Sequence, residues 1–522
     1  METKRRNISF RLQAEIPHCR SLWIGILQGS WKEIGIQYGQ RCAKDIARNF
    51  GLAWEKLILK GKKHLWQQGR TEKEKADYGL RYIRRSFKEL SALSPEMIDL
   101  FQGMAEGAGR ELDHSVHGQV CSHFEKIALL NYSSTKAFHP DWDFERDRPG
   151  TLRPENAVGR ASPLSEEADC NGFWVKGEAT RTGHTYATRA AQSGHIEVGG
   201  SGRERQVSYV AILKDPSARV FWGNGRAGNL GGIGGGLMND RGVCCLTSGA
   251  QNMNASREHL DETLAPGIKD FLLASYGVIF SSSAKEAAER VTVGTERYRQ
   301  ITGRKTVLRG RGCNIVFADP QDVFCIEQNA RYYSIRRPGD LGEKGGHYLV
   351  HANHFKSKRG CFDENNVFHA GRSTSDFTPE KKESLTGTYY RFWSGMWMLR
   401  NNYGKIDEKL MMEDLVSSHY GYDEEGNRYD PDPNTGVPTV GNRSSKENEG
   451  WHGTFCAHIK PYTPENPKGT GGNVETSVFD LSTREVWWVP VWPCHFKEWN
   501  LDWYYTDLKP FSEYRKLLWG YE

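Results

Sequence analysis

The residue best placed for chemistry in this sequence is the cysteine of Asp169-Cys170-Asn171-Gly172. A thiol becomes a strong nucleophile only when something takes its proton. The stretch before it, about 139–169, is rich in Pro, Arg, Asp and Glu and has no apolar period, as an exposed connector would. Cleavage of the peptide bond between Asp169 and Cys170 would leave Cys170 with a free α-amino group, whose reference pKa is near ~8. Amine and thiol would then share one residue, with the amine as general base and no separate histidine required. The competing reading is a buried core thiol, since the chain has 11 cysteines and most are expected to be reduced and buried.

The elements that must position this residue are legible in part. Apolar residues at helical spacing predict helices from Trp31 to about Lys60, from Thr71 to Leu93, and from Glu96 to about Leu112 after Pro95. From Cys170 the pattern changes to strands. GFWVKGEATRTGHTYATRAA reads as a hairpin, and short strands follow at 208–214, 242–248, 313–319, 323–328, 332–337 and 347–352. NVETSVFDLSTREVWWVPV supplies two more, with helices near 267–291 and from about Thr388 to Asn402. About 424–450 is rich in Asp, Asn, Pro and Gly and reads as an insertion loop. Strands in blocks with few long helices between them predict an α+β fold of stacked antiparallel sheets with helices outside. The expected division is a helical N-terminal segment, 1–169, and a catalytic domain, 170–522.

Several motifs occur in an order that resembles the acyl-coenzyme A:6-aminopenicillanate acyltransferase-like family of N-terminal-nucleophile (Ntn) cysteine hydrolases. They are GSWKEIGIQYGQRCAKDI, FQGMAEGAGRELD followed by IALLNY, Asp169-Cys170 with its hairpin, GGIGGGLMNDRGVCCLTSG, LVHANHF, TYYRFWSGMWMLRNNYGKIDEKLMMEDLVSSH, and NVETSVFDLSTREVWWVPVWPC. The resemblance covers nearly the whole chain. It implies an αββα four-layer sandwich, self-cleavage before Cys170, and attack of the Cys170 thiolate on an amide or thioester carbonyl. It places an oxyanion donor at Ser248, with Thr247 or Gln251 beside it, where preorganised donors each contribute about 10²–10³ in rate. Asn353 and His354 mark the end of another inner strand, and Asn353 joins the expected donors. Arg189 and Arg391 fall where they would orient the amine or bind a substrate carboxylate. Ala190-Ala191-Gln192 replaces the usual Asn-x-Asp, so Gln192 offers only neutral hydrogen bonds to amine or substrate. Tyr390 belongs to an aromatic helix that packs into the core or lines an acyl pocket.

Other chemistries fit less well. GNLGGIGGG lacks a following Lys-Ser or Lys-Thr and leads into a strand, so its glycines read as turns and close packing. His351 with His354, and Cys456 with His458, meet no established zinc spacing, and no metal or cofactor is expected. The net charge of +5 and scattered basic residues exclude a nucleic-acid footprint. A basic start with no apolar run behind it, and no long apolar stretch, predict a cytoplasmic protein without a membrane partner. The expected partners are a small-molecule amide or acyl substrate and the chain's own cleaved N-terminal fragment, with a homo-oligomer left open. The expected reaction is hydrolysis of a non-peptidic amide through an acyl-enzyme. The alternatives are acyl transfer to an amine, a non-catalytic scaffold of the same fold, and a zinc amidohydrolase.

Overall fold

A computed structural model describes residues 22–55, 65–113, 121–132, 138–150, 170–193, 206–230, 236–249, 264–354, 356, 386–429, 454–456, 472–490, 492–494 and 502–521. The described chain begins with a strand, β1 (Leu22–Gly29), and four helices, α1 (Trp31–Ala53), α2 (Glu72–Leu93), α3 (Pro95–Ala108) and α4 (His123–Tyr132). Next come β2 (Cys170–Val175), β3 (Tyr186–Ser193), β4 (Gln206–Leu213), β5 (Phe221–Arg226), β6 (Leu237–Asn239) and β7 (Cys244–Gly249). Helices α5 (Asp270–Ile279), α6 (Ala284–Thr292) and α7 (Glu296–Thr302) lead to β8 (Cys313–Ala318), β9 (Val323–Gln328), β10 (Tyr333–Arg336) and β11 (Tyr348–His351). Helix α8 (Thr386–Asn401), strands β12 (Gly472–Asp480), β13 (Glu485–Val489) and β14 (Tyr504–Asp507), and helix α9 (Lys509–Trp519) complete the set.

Local sequence explains where the helices start. Ser30 and Thr71 each accept from the backbone N–H three residues on, while Glu33 and Glu74 accept from the capping residue in return. Two orphan donors are satisfied at each helix start. The expected helix near 267–291 is two helices, because Ser283 accepts from the Glu286 N–H at 3.2 Å and starts a new one.

The strands form two large sheets, in the orders β1-β4-β5-β6-β7-β8-β9-β10 and β11-β2-β3-β12-β13-β14. All pairings are antiparallel except β1 with β4, which is parallel. Strand alternation then sorts the side chains. Leu246, Val316, Trp222 and Ile212 of the first sheet share one core with Trp174, Ala187, Leu349 and Phe479 of the second. Tyr209, Phe221, Cys245 and Phe317 point the other way, into α1–α7. Phe173, Val350 and Val478 point out of the second sheet into α8. The result is an αββα sandwich, the architecture the sequence implied.

Two parts of the early chain differ from the sequence reading. β1 was not anticipated, and it places the segment before Cys170 within the same sheet as the later strands. The described part of the connector is ordered: Trp142 is buried, and Arg85 and Arg304 both pair with Asp147. Residues 151–169 and most of the 424–450 insertion lie outside the described residues. No described helix is long and apolar enough to cross a membrane.

Helices α1 and α3 approach backbone to backbone. A Cβ on Gly39 would land on the Met104 carbonyl oxygen and 2.8 Å from Ala108 N, and one on Gly103 would meet the Lys32 carbonyl oxygen. Backbone cannot move aside as a side-chain tip can. Gly39→Ala and Gly103→Ala should therefore each destabilise the fold by about 1–3 kcal/mol, and the double variant by less than their sum. Chemical denaturation of the three variants checks this, and neutral single substitutions would contradict the packing.

Candidate active site

The layer between the sheets is apolar at one end and polar at the other. On β2 the inward positions after Trp174 toward the N-terminus are Gly172 and Cys170; on β3 they run from Ala187 through Arg189 to Ala191. The same parity carries β12 from Phe479 through Ser477 to Glu475, β7 from Leu246 to Ser248, β8 from Val316 to Asn314, and β11 from Leu349 to His351. Every one of these polar side chains is buried.

Cys170 opens strand β2 and is 4% exposed. Its backbone N–H donates to Asn353 Oδ1 at 2.7 Å. Asn353 Oδ1 also accepts from Arg391 Nη2 at 3.1 Å, while Asn353 Nδ2 donates to the Gly249 carbonyl at 2.6 Å. Its backbone N–H donates to Thr388 Oγ1 at 2.7 Å. Two donors on one side of the amide and a carbonyl on the other leave a single orientation for the side chain. Arg391 and Thr388 come from α8, whose Phe392, Met396 and Leu399 anchor it on the outer face of the second sheet.

Arg189 approaches Cys170 from β3. Its Nη2 is 3.6 Å from Cys170 Sγ, and its Nε donates to the Thr247 carbonyl at 3.0 Å. Arg189 Nη1 makes no hydrogen bond among the described residues.

Ser248 ties the sheets together. Its hydroxyl donates to the Ala352 carbonyl at 2.8 Å and lies 3.2 Å from His351 Nδ1. Burial, with Arg336 and Arg189 nearby, pushes His351 down to about 3, so the imidazole is neutral near pH 7. With the Ser248 proton given to Ala352, Nδ1–H is the donor to Ser248. The bare Nε2 then faces Gly172, where a Cβ would sit 2.7 Å away. Asn314 Nδ2 adds bonds to the Ala352 and His354 carbonyls, at 2.8 and 3.0 Å.

The remaining expected residues are placed as follows. His354 stands behind Asn353, its Nδ1 2.7 Å from Thr388 Oγ1 and its ring edge-on to Phe392; burial first, then Lys356 and Arg391, hold its pKa well below the usual range. Tyr390 is half-buried and packs edge-on against Tyr429. Gln192 lies on β3 opposite Asn473. Asp169 and Gln251 lie outside the described residues.

Sequence reasoning missed Glu475. Its carboxylate accepts from Gly236 N at 3.0 Å and from Ser477 Oγ at 2.9 Å. Burial pushes its pKa up to about 7, against the opposing effects of Arg189 and these hydrogen bonds. The available signal was parity: Glu475 shares a strand face with Phe479, a position that faces the core.

No family model matches the sequence, and no curated protein matches it. Among solved structures, a mutant of conjugated bile acid hydrolase from Clostridium perfringens is 10% identical over 62% of this chain and 89% of its own, with a TM-score of 0.30. Penicillin V acylase from Agrobacterium tumefaciens is 10% identical over 62% and 74%, with a TM-score of 0.22. A second variant of the bile acid hydrolase is 8% identical over 63% and 83%, with a TM-score of 0.24. Likeness of this depth adds nothing to what the geometry itself supports.

Glu475 yields a pH test. An unfolded glutamate titrates near ~4.3. Between that value and about 7 the native state keeps a proton that the unfolded state has lost. The Glu475 contribution therefore makes stability fall as pH rises through this window and level off above it. Relative to wild type, Glu475→Gln should gain on the order of 3 kcal/mol between pH 4 and pH 8. Urea unfolding of both proteins at the two pH values measures this, and a pH-independent difference would refute it.

Proposed function

We propose that this chain is a cysteine N-terminal-nucleophile amidohydrolase, a hydrolase of linear, non-peptidic amides that works through an acyl-enzyme. The observation that carries the reading is the hold on Cys170 N by Asn353 Oδ1, with the thiol beside Arg189. A core cysteine has no need of a buried asparagine–arginine pair at its backbone nitrogen, whereas a nucleophile whose nitrogen becomes the base does.

Activation begins in the intact chain. Cys170 Sγ attacks the Asp169 carbonyl carbon and the peptide C–N bond breaks, giving a thioester and a free α-amine. Water then hydrolyses the thioester, releasing the Asp169 carboxylate and restoring the thiol. The new amine keeps Asn353 Oδ1 as its acceptor. The Arg391 and Arg189 cations disfavour a second positive charge beside them and so lower the amine's pKa, keeping it an available base near neutrality.

In turnover the amine takes the Sγ proton and the thiolate attacks the substrate carbonyl carbon. The oxyanion needs donors already in place. We assign this to the Arg189 guanidinium, whose Nη1 is uncommitted among the described residues, because the Ser248 hydroxyl and the Asn353 amide are both engaged elsewhere. The ammonium then protonates the leaving amine as the C–N bond breaks. Water, deprotonated by the regenerated amine, cleaves the acyl-thioester and frees the acid.

Intact mass and N-terminal sequencing should find a fragment beginning at Cys170 in wild type and an unsplit chain in Cys170→Ala. On a panel of non-peptidic amides, Cys170→Ala should abolish turnover. In cleaved material, Asn353→Ala should lower kcat by about 10² through misplacement of the base, with a smaller change in KM. Turnover that survives Cys170→Ala would remove the mechanism. Transfer of the acyl group to an added amine in preference to water would reassign the chain as an acyltransferase.

A further inference from the structure

Outside the site just described, the described residues hold one compact cluster of soft ligands. His419, Cys456 and Cys494 place their ligand atoms within 4.8 Å of one another. Neither cysteine is in a disulfide, both are buried, and His419 is half-buried at the rim.

The three come from segments far apart in sequence. His419 lies beyond the short helical pieces Glu408–Leu410 and Met411–Leu415 that follow α8, Cys456 lies in the described piece 454–456, and Cys494 follows β13. A backbone bond ties the first two segments together, Cys456 N–H donating to the Ser418 carbonyl at 3.2 Å, and the Thr454 hydroxyl donates to the Cys456 carbonyl at 2.9 Å. Trp492 packs with both cysteines and closes the apolar side.

From this arrangement we infer a metal site, in which Cys456, Cys494 and His419 bind one zinc ion. Two thiolates and an imidazole are the donor set zinc prefers. Around tetrahedral zinc such atoms stand roughly 3.5–3.8 Å apart, which a cluster lying within 4.8 Å can reach by side-chain adjustment. Binding converts two thiols to thiolates and releases two protons. The complex of one divalent ion and two thiolates is neutral, which suits a buried location. A water molecule would supply the fourth ligand of the tetrahedron. The sequence reading paired Cys456 with His458 and expected no metal; the convergence of three distant segments could not be read from spacing.

Such a site would brace the nucleophile's flank. Phe455, next to Cys456, packs edge-on against Phe173 of β2 at 5.6 Å, and the Phe455 carbonyl accepts from Asn473 Nδ2 at 3.1 Å. Thr476 pairs with Val489, so the chain leaves β13 toward Cys494 at the same end of the sheet as Cys170. The role is structural, and the inference stands whether or not Cys170 is a nucleophile.

The test uses the full chain, purified and stripped of metal, then titrated with cobalt(II) as a spectroscopic stand-in and with zinc. A thiolate-to-cobalt charge-transfer band with tetrahedral d–d bands is expected, with about one metal per chain. Cys456→Ser, Cys494→Ser and His419→Ala should each weaken zinc binding by more than about 100-fold, while Cys121→Ser leaves it intact. Should the serine variants fail to fold, the half-exposed His419→Ala and the loss of wild-type Tm on chelation carry the test. A cobalt spectrum without thiolate bands, or one unchanged in His419→Ala, would overturn the site. So would a metal-free chain in which Cys456 and Cys494 resist alkylation until reduced, since that assigns them to a disulfide.

Discussion

The arrangement around Cys170 depends on the side-chain amide of Asn353. One end accepts from Cys170 N–H and Arg391, the other donates to the Gly249 carbonyl, and the backbone N–H is taken by Thr388. A single residue thereby joins the first strand of the β2–β3 hairpin, the end of β7 in the facing sheet, and the helix covering the outer face. A buried amide is stable only when both ends are matched. The matching also removes its freedom to flip, so the position of the Cys170 nitrogen is set by a rigid acceptor.

The second constraint is the change of polarity along the inter-sheet layer. Trp174, Trp222, Phe479 and Leu246 hold the sheets together mainly by apolar contact, with the two indole N–H groups donating to the Asp319 carbonyl and Ser208 Oγ. Beyond them Arg189, Glu475, Ser248, Asn314 and His351 occupy the same faces and are equally buried. The apolar end supplies the burial that fixes the spacing of the sheets, and the polar end uses that spacing to hold charges out of water. Outside such a frame the same groups would gain little from one another, because water would compete for each bond. Arg189 shows the consequence. Its Nη2 lies 3.6 Å from the Cys170 thiol, while its charge partly offsets the burial that raises the Glu475 carboxyl.

Much of the frame was legible because strands and helices announce themselves through local period. The hairpin from Cys170, the strands that became β7, β8, β9 and β11, the start of α1, and α2 and α8 were all read close to their final bounds. The parallel strand β1 was not, since short apolar runs are ambiguous between strand and loop. Nor was the break at Ser283, where a capping serine outweighs the apolar pattern running through it. The connector misled in the other direction: its charged composition suggested exposure, yet Trp142 and the Asp147 ion pairs fasten its described part to α2. Composition reports average solubility and is blind to a single buried anchor.

The sequence by itself determined the αββα class, the candidate thiol and the two arginines, because residue type and order survive without coordinates. Only the tertiary structure decided which polar atoms meet. It turned Ser248 toward Ala352, made Asn353 a positioning group for the Cys170 nitrogen, and brought Glu475 beside Arg189. It likewise gathered His419, Cys456 and Cys494 from three segments. The physical reason is that hydrogen bonds and coordination depend on distances of a few tenths of an ångström, whereas the patterns that a sequence carries record only which face a residue occupies.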